Sequence, residues 1–238
     1  MVVVGGRSRG RVVGWWWIAL SAVAIAVLAV VPYLSGPLHT LGDDGLAANY
    51  AYRPQWVKVA FYVHVVSGGL ALLLSPVQFA ARLRARVPRV HRVCGRVTFV
   101  SLVAAGGAGL VLAPFSLAGM TGTLGFGALG ILTLVFAAAA FLAIRRGDVA
   151  AHQRWAVRTF ALIYAGVMLR LWQMTLVPLQ VAVYGIAEDV AFDRSYGLMP
   201  FLSWVPNLLV AEWMLRRQRR RSPASGAGPR VRSHNAVP

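Results

Sequence analysis

The stretch Pro88-Arg89-Val90-His91-Arg92-Val93-Cys94-Gly95-Arg96 is a basic turn that opens directly into an apolar run at Val97. Sixty-one residues later, Asp148-Val149-Ala150-Ala151-His152-Gln153-Arg154-Trp155-Ala156-Val157-Arg158 repeats the arrangement, with a histidine and several arginines at the head of a hydrophobic segment. At about 1.5 Å of rise per helical residue, such runs are long enough to cross the ~30 Å hydrocarbon core of a bilayer. The two turns therefore read as entries into membrane-spanning helices.

Composition agrees with that reading. The chain is 58% hydrophobic and only 13% charged, where a soluble domain carries about a quarter charged residues. The fold class is an all-α, polytopic membrane helical bundle. A net charge of +17 raises nucleic acid as a partner. The arginines, however, sit in blocks between apolar runs and toward the ends of the chain, which is a pattern of membrane orientation and excludes a groove-reading surface. A single cysteine, Cys94, forms no intrachain disulfide, and no CxxCH motif for covalent haem is present.

Six spans are expected, over 14–34, 57–81, 97–113, 124–144, 155–184 and 200–215. The fifth is kinked or broken near Pro178, and the sixth starts a few residues before hydropathy marks it. Segment 1–13 is a cytoplasmic lead-in, 14–215 the transmembrane domain with its core at 57–213, and 216–238 a basic disordered tail. The first run is long for a signal peptide and reads as an uncleaved helix, with Trp15, Trp16 and Trp17 as an interfacial belt. Residues 35–56, with Asp43 and Asp44, and the region of Glu188, Asp189 and Asp193 read as polar loops. The N-terminal segment, the 82–96 turn, the 145–154 turn and the tail hold 3, 6, 3 and 7 arginines, against Arg53 and Arg194 in the opposite loops. This asymmetry places both termini in the cytoplasm of a bacterial plasma membrane. At the offset of 61, Arg84 aligns with Arg145, His91 with His152, and Thr98-Phe99 with Thr159-Phe160, a weak parallel internal repeat. With Pro88 as the first helical residue of one span and Asp148 capping the other, both histidines are fourth in their helices.

Polar side chains inside spans mark a functional site or a buried pair. Here they are His64, Gln78, Arg158, Arg170, Gln173, Asn207 and Glu212. By helical rise, His64 lies about 10 Å below one mouth of its helix and Arg170 about 22 Å from the arginine-rich end of its own, so the two share a level. Arg158, Asn207 and Glu212 fall near His91, Arg92, Arg96 and His152 at the basic end. Two histidines on different helices at one level suit bis-histidine ligation of a b-type haem, with Arg92, Arg96 and Arg158 to hold propionates. The competing reading makes both ordinary interfacial residues. His64 is either a helix-to-helix hydrogen bond or a quinone or proton-relay contact. Arg170 needs a partner that the sequence does not identify. Glu212 pairs with Arg158 or Arg96, and Asn207 satisfies backbone groups freed by Pro206. His39 and His234 receive no role. No Walker loop, zinc-ligand spacing or nucleophile elbow is present, so no metal ligands and no catalytic residues are assigned.

The ordered set His64-x-x-x-Gly68-x-x-Ala71-Leu72, Pro76-x-Gln78-Phe79, His91-Arg92-x-x-Gly95-Arg96, Ile144-Arg145-x-Gly147-Asp148-x-x-x-His152-x-x-Trp155-x-x-Arg158, Leu169-Arg170 and Trp204-x-x-Asn207-Leu208-x-x-Ala211-Glu212 covers about residues 57–213. It resembles a bacterial family of predicted membrane proteins, domain of unknown function 2306. Ser75 stands where that pattern has glycine, and Thr98 where it has an aromatic residue. The resemblance implies a multi-helix bundle and no established activity. Three functions are carried forward. The first is a small redox or quinone-interacting module with haem b near the cytoplasmic face. The second is a transporter or small-molecule/lipid-binding bundle, and the third a non-catalytic scaffold or assembly factor. The bilayer is the one certain partner, and the oligomeric state is open.

Overall fold

The computed structural model describes residues 9–41 and 45–221. The remaining N-terminal residues, Asp43, Asp44 and the tail beyond Arg221, with the expectations placed on them, lie outside the described residues. The described elements are helices, in the order α1 (Arg9–Leu34), α2 (Gly45–Ala51), α3 (Gln55–Phe79), α4 (Ala81–Arg86), α5 (Pro88–Leu112), α6 (Gly119–Arg145), α7 (Val149–Ile163), α8 (Ala165–Tyr184), α9 (Glu188–Tyr196), α10 (Met199–Leu202) and α11 (Val205–Arg221). Two short 3-10 turns, Leu38–Thr40 and Ala113–Phe115, link them. Five segments are long and apolar enough to cross a membrane, or six if the bent pair Glu188–Tyr196 and Met199–Arg220 forms one span. Only 22–39% of each of the five apolar windows is buried within the bundle. Leu28, Val100, Leu124 and Leu209 are each at least 60% exposed, a surface that suits lipid and not water.

Neighbouring spans pack in sequence, α1 on α3, α3 on α5, α5 on α6 and α6 on α7, with α11 against α7. The ring closes where Val167 of α8 joins Ala22, Ile25 and Ala26 of α1 and Leu72 of α3 in one buried cluster. Small residues set how closely these helices approach, because in lipid it is packing and not hydrophobic burial that drives association. At the α5–α6 crossing, a Cβ on Gly106 would lie 2.9 Å from the Leu134 side chain, and one on Gly130 2.9 Å from that of Leu110. Further toward the α6 start, a Cβ on Gly125 would sit 2.5 Å from that of Pro200, so α10 rests directly on the α6 backbone.

The starts of α5 and α7 agree with the sequence reading. Pro88 opens α5, where its missing N–H costs nothing. Asp148 caps α7 by accepting from the Ala151 N–H at 2.8 Å, just after Gly147 turns the chain with φ 77°. His91 and His152 thus occupy the same helical position.

Two expectations need correction. The fifth span breaks at Tyr164, between α7 and α8, while Pro178 lies within continuous α8. The Tyr164 hydroxyl meets the Ser21 Oγ of α1 at 2.7 Å, which fixes the break against a neighbouring helix. The expected loop at Glu188, Asp189 and Asp193 is instead α9, whose two leading acids favour a helix N-terminus. The sixth span is bent by 53° between α9 and the segment beginning at Met199.

Gly130→Val places a branched side chain at the tightest part of the α5–α6 crossing. It is expected to lower stability by about 1–3 kcal/mol, read as a fall in the detergent-solubilised unfolding midpoint. Gly127→Val, where a Cβ meets nothing within 4 Å, is the matched control and should leave the midpoint unchanged.

Candidate functional site

The polar residues of the spans divide into a structural set and a set with unused hydrogen-bonding capacity. Arg158 and Glu212 belong to the first. The guanidinium on α7 donates through Nε and Nη2 to the two carboxylate oxygens on α11, the second bond at 3.0 Å. The same guanidinium lies over the Trp155 ring, 4.7 Å from its centroid. A bidentate fork stacked on an indole fixes α11 against α7 in one register. Arg96, the other partner considered for Glu212, forms no such pair among the described residues.

Asn207 is the second staple. Its side-chain amide donates to the Ala161 carbonyl at 3.3 Å and the Ser203 carbonyl at 2.9 Å. Both acceptors lie beside interruptions, the end of α7 and the turn before α11, where helical carbonyls lose their usual partners. The nearby Trp204 indole donates to the Pro200 carbonyl at 2.7 Å. The sequence located Asn207 correctly, but not the α7–α8 break that it also serves.

His64 and His152 share a different arrangement. Nδ1 of His64 on α3 donates to the Ala105 carbonyl of α5 at 2.9 Å, and Nδ1 of His152 on α7 donates to the Ala140 carbonyl of α6 at 2.9 Å. A carbonyl only accepts, so Nδ1 carries a proton in each ring, and in the neutral form Nε2 is a bare acceptor. His152 is among the ionisable neighbours of His91. His91 Nδ1 and Gln78 Nε2 are buried without a protein partner. Gln78 reaches Gly95 on α5, where a Cβ would lie 3.3 Å from its Oε1. Gln78, His91 and His152 thus converge from three helices at the arginine-rich end. Arg92 and Arg96 are exposed on the same helix. Among the described residues no group of three His, Cys, Asp or Glu comes together as a metal cluster.

A space large enough for a ligand lies elsewhere. A partly open cavity of about 310 Å³ is lined by α1, α3, α5, α6, α7 and α8, together with Tyr50 and Tyr196. His64 and Arg170 both line it, which joins the two residues whose depths along their helices match. His64 keeps open surface although it lies deep in the bundle, because that surface faces the cavity. Its ring rests against Gly109, where a Cβ would approach to 3.2 Å. Arg170 donates to Gln173 Oε1 at 3.4 Å, and Tyr196 is also close to it. Among the described residues no carboxylate pairs with Arg170. Burial, reinforced by Tyr196 and opposed by Arg53, pushes the Tyr50 hydroxyl up to about 12. It therefore stays protonated at physiological pH and able to donate. Ser203, fully buried on the lining, has no partner for its hydroxyl. Tyr33, Tyr50, Tyr196 and Ser203 escaped the sequence reading, because tyrosine and serine at helix ends carry no signal of depth. His91, His152, Gln78, Asn207 and Glu212 do not border this cavity.

Glu212→Gln leaves Arg158 without its counter-charge. With 16% and 30% of the two side chains exposed, the loss should be about 2 kcal/mol, below the ~3–5 kcal/mol of a fully buried pair. The double replacement Arg158→Met with Glu212→Leu should return to within about 1 kcal/mol of the parent. Denaturant unfolding in detergent measures both, and a double variant worse than either single one would exclude a simple ion pair.

Comparison with known proteins agrees with the geometry at the level of the family. No curated protein and no solved structure matches the chain. The family model described as "Predicted membrane protein (DUF2306)" matches residues 61–215, roughly two thirds of the sequence, from the second turn of α3 to the body of α11. The matched region holds His64, Arg170, both histidine-headed helices and the Arg158–Glu212 fork. The chain belongs to the DUF2306 family of predicted membrane proteins.

Proposed function

We propose that this protein is a small-molecule-binding membrane bundle, and that its ligand is an amphiphile drawn from the bilayer into the His64–Arg170 cavity. The observation that carries this reading is the cavity itself. Its volume of about 310 Å³ lies at the lower end of the range typical of ligand pockets. Its wall is mainly apolar, and its few polar groups sit on different helices, the usual pattern for a site that fixes one orientation of a ligand. A guanidinium in the span, without a carboxylate partner among the described residues, favours an accepting or anionic group on the ligand.

A second reading retains a redox role, with haem b between His91 and His152 and arginines at its propionates. In its favour, the Ala140 carbonyl orients His152 so that Nε2 is free, which is how histidine ligands are commonly held. Against it, the cavity borders neither histidine. Protein expressed with ample haem should show no Soret band under the first reading and a six-coordinate b-type spectrum under the second.

The arginine blocks orient the bundle with both termini on the cytoplasmic side of a plasma membrane. A C-terminal fluorescent-protein fusion should therefore fluoresce, and a C-terminal alkaline phosphatase fusion should be inactive.

Extraction of the purified protein, followed by mass spectrometry, tests the binding role. One amphiphile class should co-purify at near-stoichiometric amounts. It should be lost from Gly68→Leu, which fills the cavity beside Ala105, where a Cβ makes only an ordinary 3.9 Å contact. Equal lipid content in parent and variant would refute the reading.

A further inference from the structure

We propose that the amphiphile is a lipophilic hydroquinone, held through a phenolic hydroxyl that donates to His64 Nε2 and through an oxygen that accepts from Arg170. The inference rests on the cavity being a binding site, as argued above, and adds the chemistry of its occupant.

The first constraint comes from His64. Its Nδ1 proton is committed to the Ala105 carbonyl of the facing helix at 2.9 Å. Gly109 leaves room for the ring, and a Cβ there would press on both Cε1 and Nδ1 at 3.2 Å. The ring is therefore held from two sides, and its remaining nitrogen is an acceptor. Only a ligand that brings an O–H or N–H can satisfy it. An ester, a phosphodiester or an ionised carboxylate brings none.

The second constraint is the complement of the first. Arg170, Tyr50 and Ser203 line the same space. The guanidinium is donor-only, Tyr50 keeps its proton, and the buried Ser203 hydroxyl has no protein partner. The ligand must also carry an acceptor oxygen. A donor and an acceptor on one compact, lipid-soluble head describe a hydroquinone.

The third constraint is shape. Gly68, Gly106, Gly109 and Gly130 leave bare backbone on the cavity wall, and Phe61, edge-on to Tyr33 and tilted against Tyr50, joins those two rings in an aromatic part of the lining. A flat ring suits such a wall better than a branched headgroup. The volume accommodates a one- or two-ring head, with the tail left to the lipid.

Redox state then controls affinity. Oxidation to the quinone removes both hydroxyl donors and leaves His64 Nε2 facing an oxygen that can only accept. An unmatched buried polar pair of this kind reduces affinity by about ten-fold or more.

The test uses the full chain in nanodiscs, titrated with decylubiquinol under anaerobic reducing conditions and with decylubiquinone, and read by calorimetry. The quinol is expected to bind at least about ten-fold more tightly. His64→Phe, which also removes the bond to Ala105 and so lowers the unfolding midpoint, should abolish that difference in the protein that remains folded, and Arg170→Gln should weaken both forms. Gly109→Ala, which keeps the histidine but displaces it, should reduce the preference without removing it. Equal affinities, a preference for the quinone, or a preference that survives His64→Phe would overturn the hydroquinone assignment. Binding of neither form would overturn it as well. In all these cases the binding role stands or falls separately, on whether another amphiphile co-purifies with the parent and not with Gly68→Leu.

Discussion

Inside hydrocarbon no water is available to complete a hydrogen bond, so each interruption of a helix must be repaired by protein. The bundle interrupts its helices at Tyr164 and around Ser203–Trp204, and both repairs converge on one side chain. Asn207 donates to carbonyls at each interruption, and the Arg158–Glu212 fork a little further along α11 locks the same pair of helices. If α11 were displaced along α7, the Ala161 carbonyl and the Arg158 guanidinium would lose their partners together. The placement of α8, and with it of Arg170, follows from this joint. The break at Tyr164 sets the direction in which α8 leaves, and the Ser21–Tyr164 contact ties that point to α1.

Glycine has two roles in the same helices. Where two glycines face each other, as at Gly106 and Gly130, the helices approach so closely that a Cβ has no room. Where a glycine instead faces His64, as Gly109 does, the missing side chain admits an imidazole and leaves open volume beyond it. The cavity and the tight crossing are thus produced by neighbouring residues of α5. Helices held by such contacts around a polar pair give a base for selecting a ligand by hydrogen-bond complementarity.

The arginine-rich end has a different character. Gln78, His91 and His152 meet there, Gln78 Nε2 and His91 Nδ1 buried without protein partners, among arginines that face outward. Pairing the two histidines from their register was sound, since both are the fourth residue of their helices. That register, however, says nothing about whether a ligand-sized space lies beside them. The cavity lies toward the other end, along His64 and Arg170.

Hydropathy and charge by themselves determined the membrane class, the five long spans and the likeness of the two basic turns, because the cost of apolar surface in water and of arginine in lipid is local and additive. Local chemistry also determined the caps at Pro88 and Asp148 and the need of Glu212 for an arginine. Other features depended on which helices meet. The break at Tyr164 instead of Pro178, the folding of the Glu188 region as α9, the double duty of Asn207 and the open volume between His64 and Arg170 are relations between residues far apart in the chain. A proline marks where a helix can bend, but packing decides whether it does. A buried polar residue likewise signals that something must satisfy it, and only the tertiary structure determines whether that partner is another helix or the ligand of a cavity.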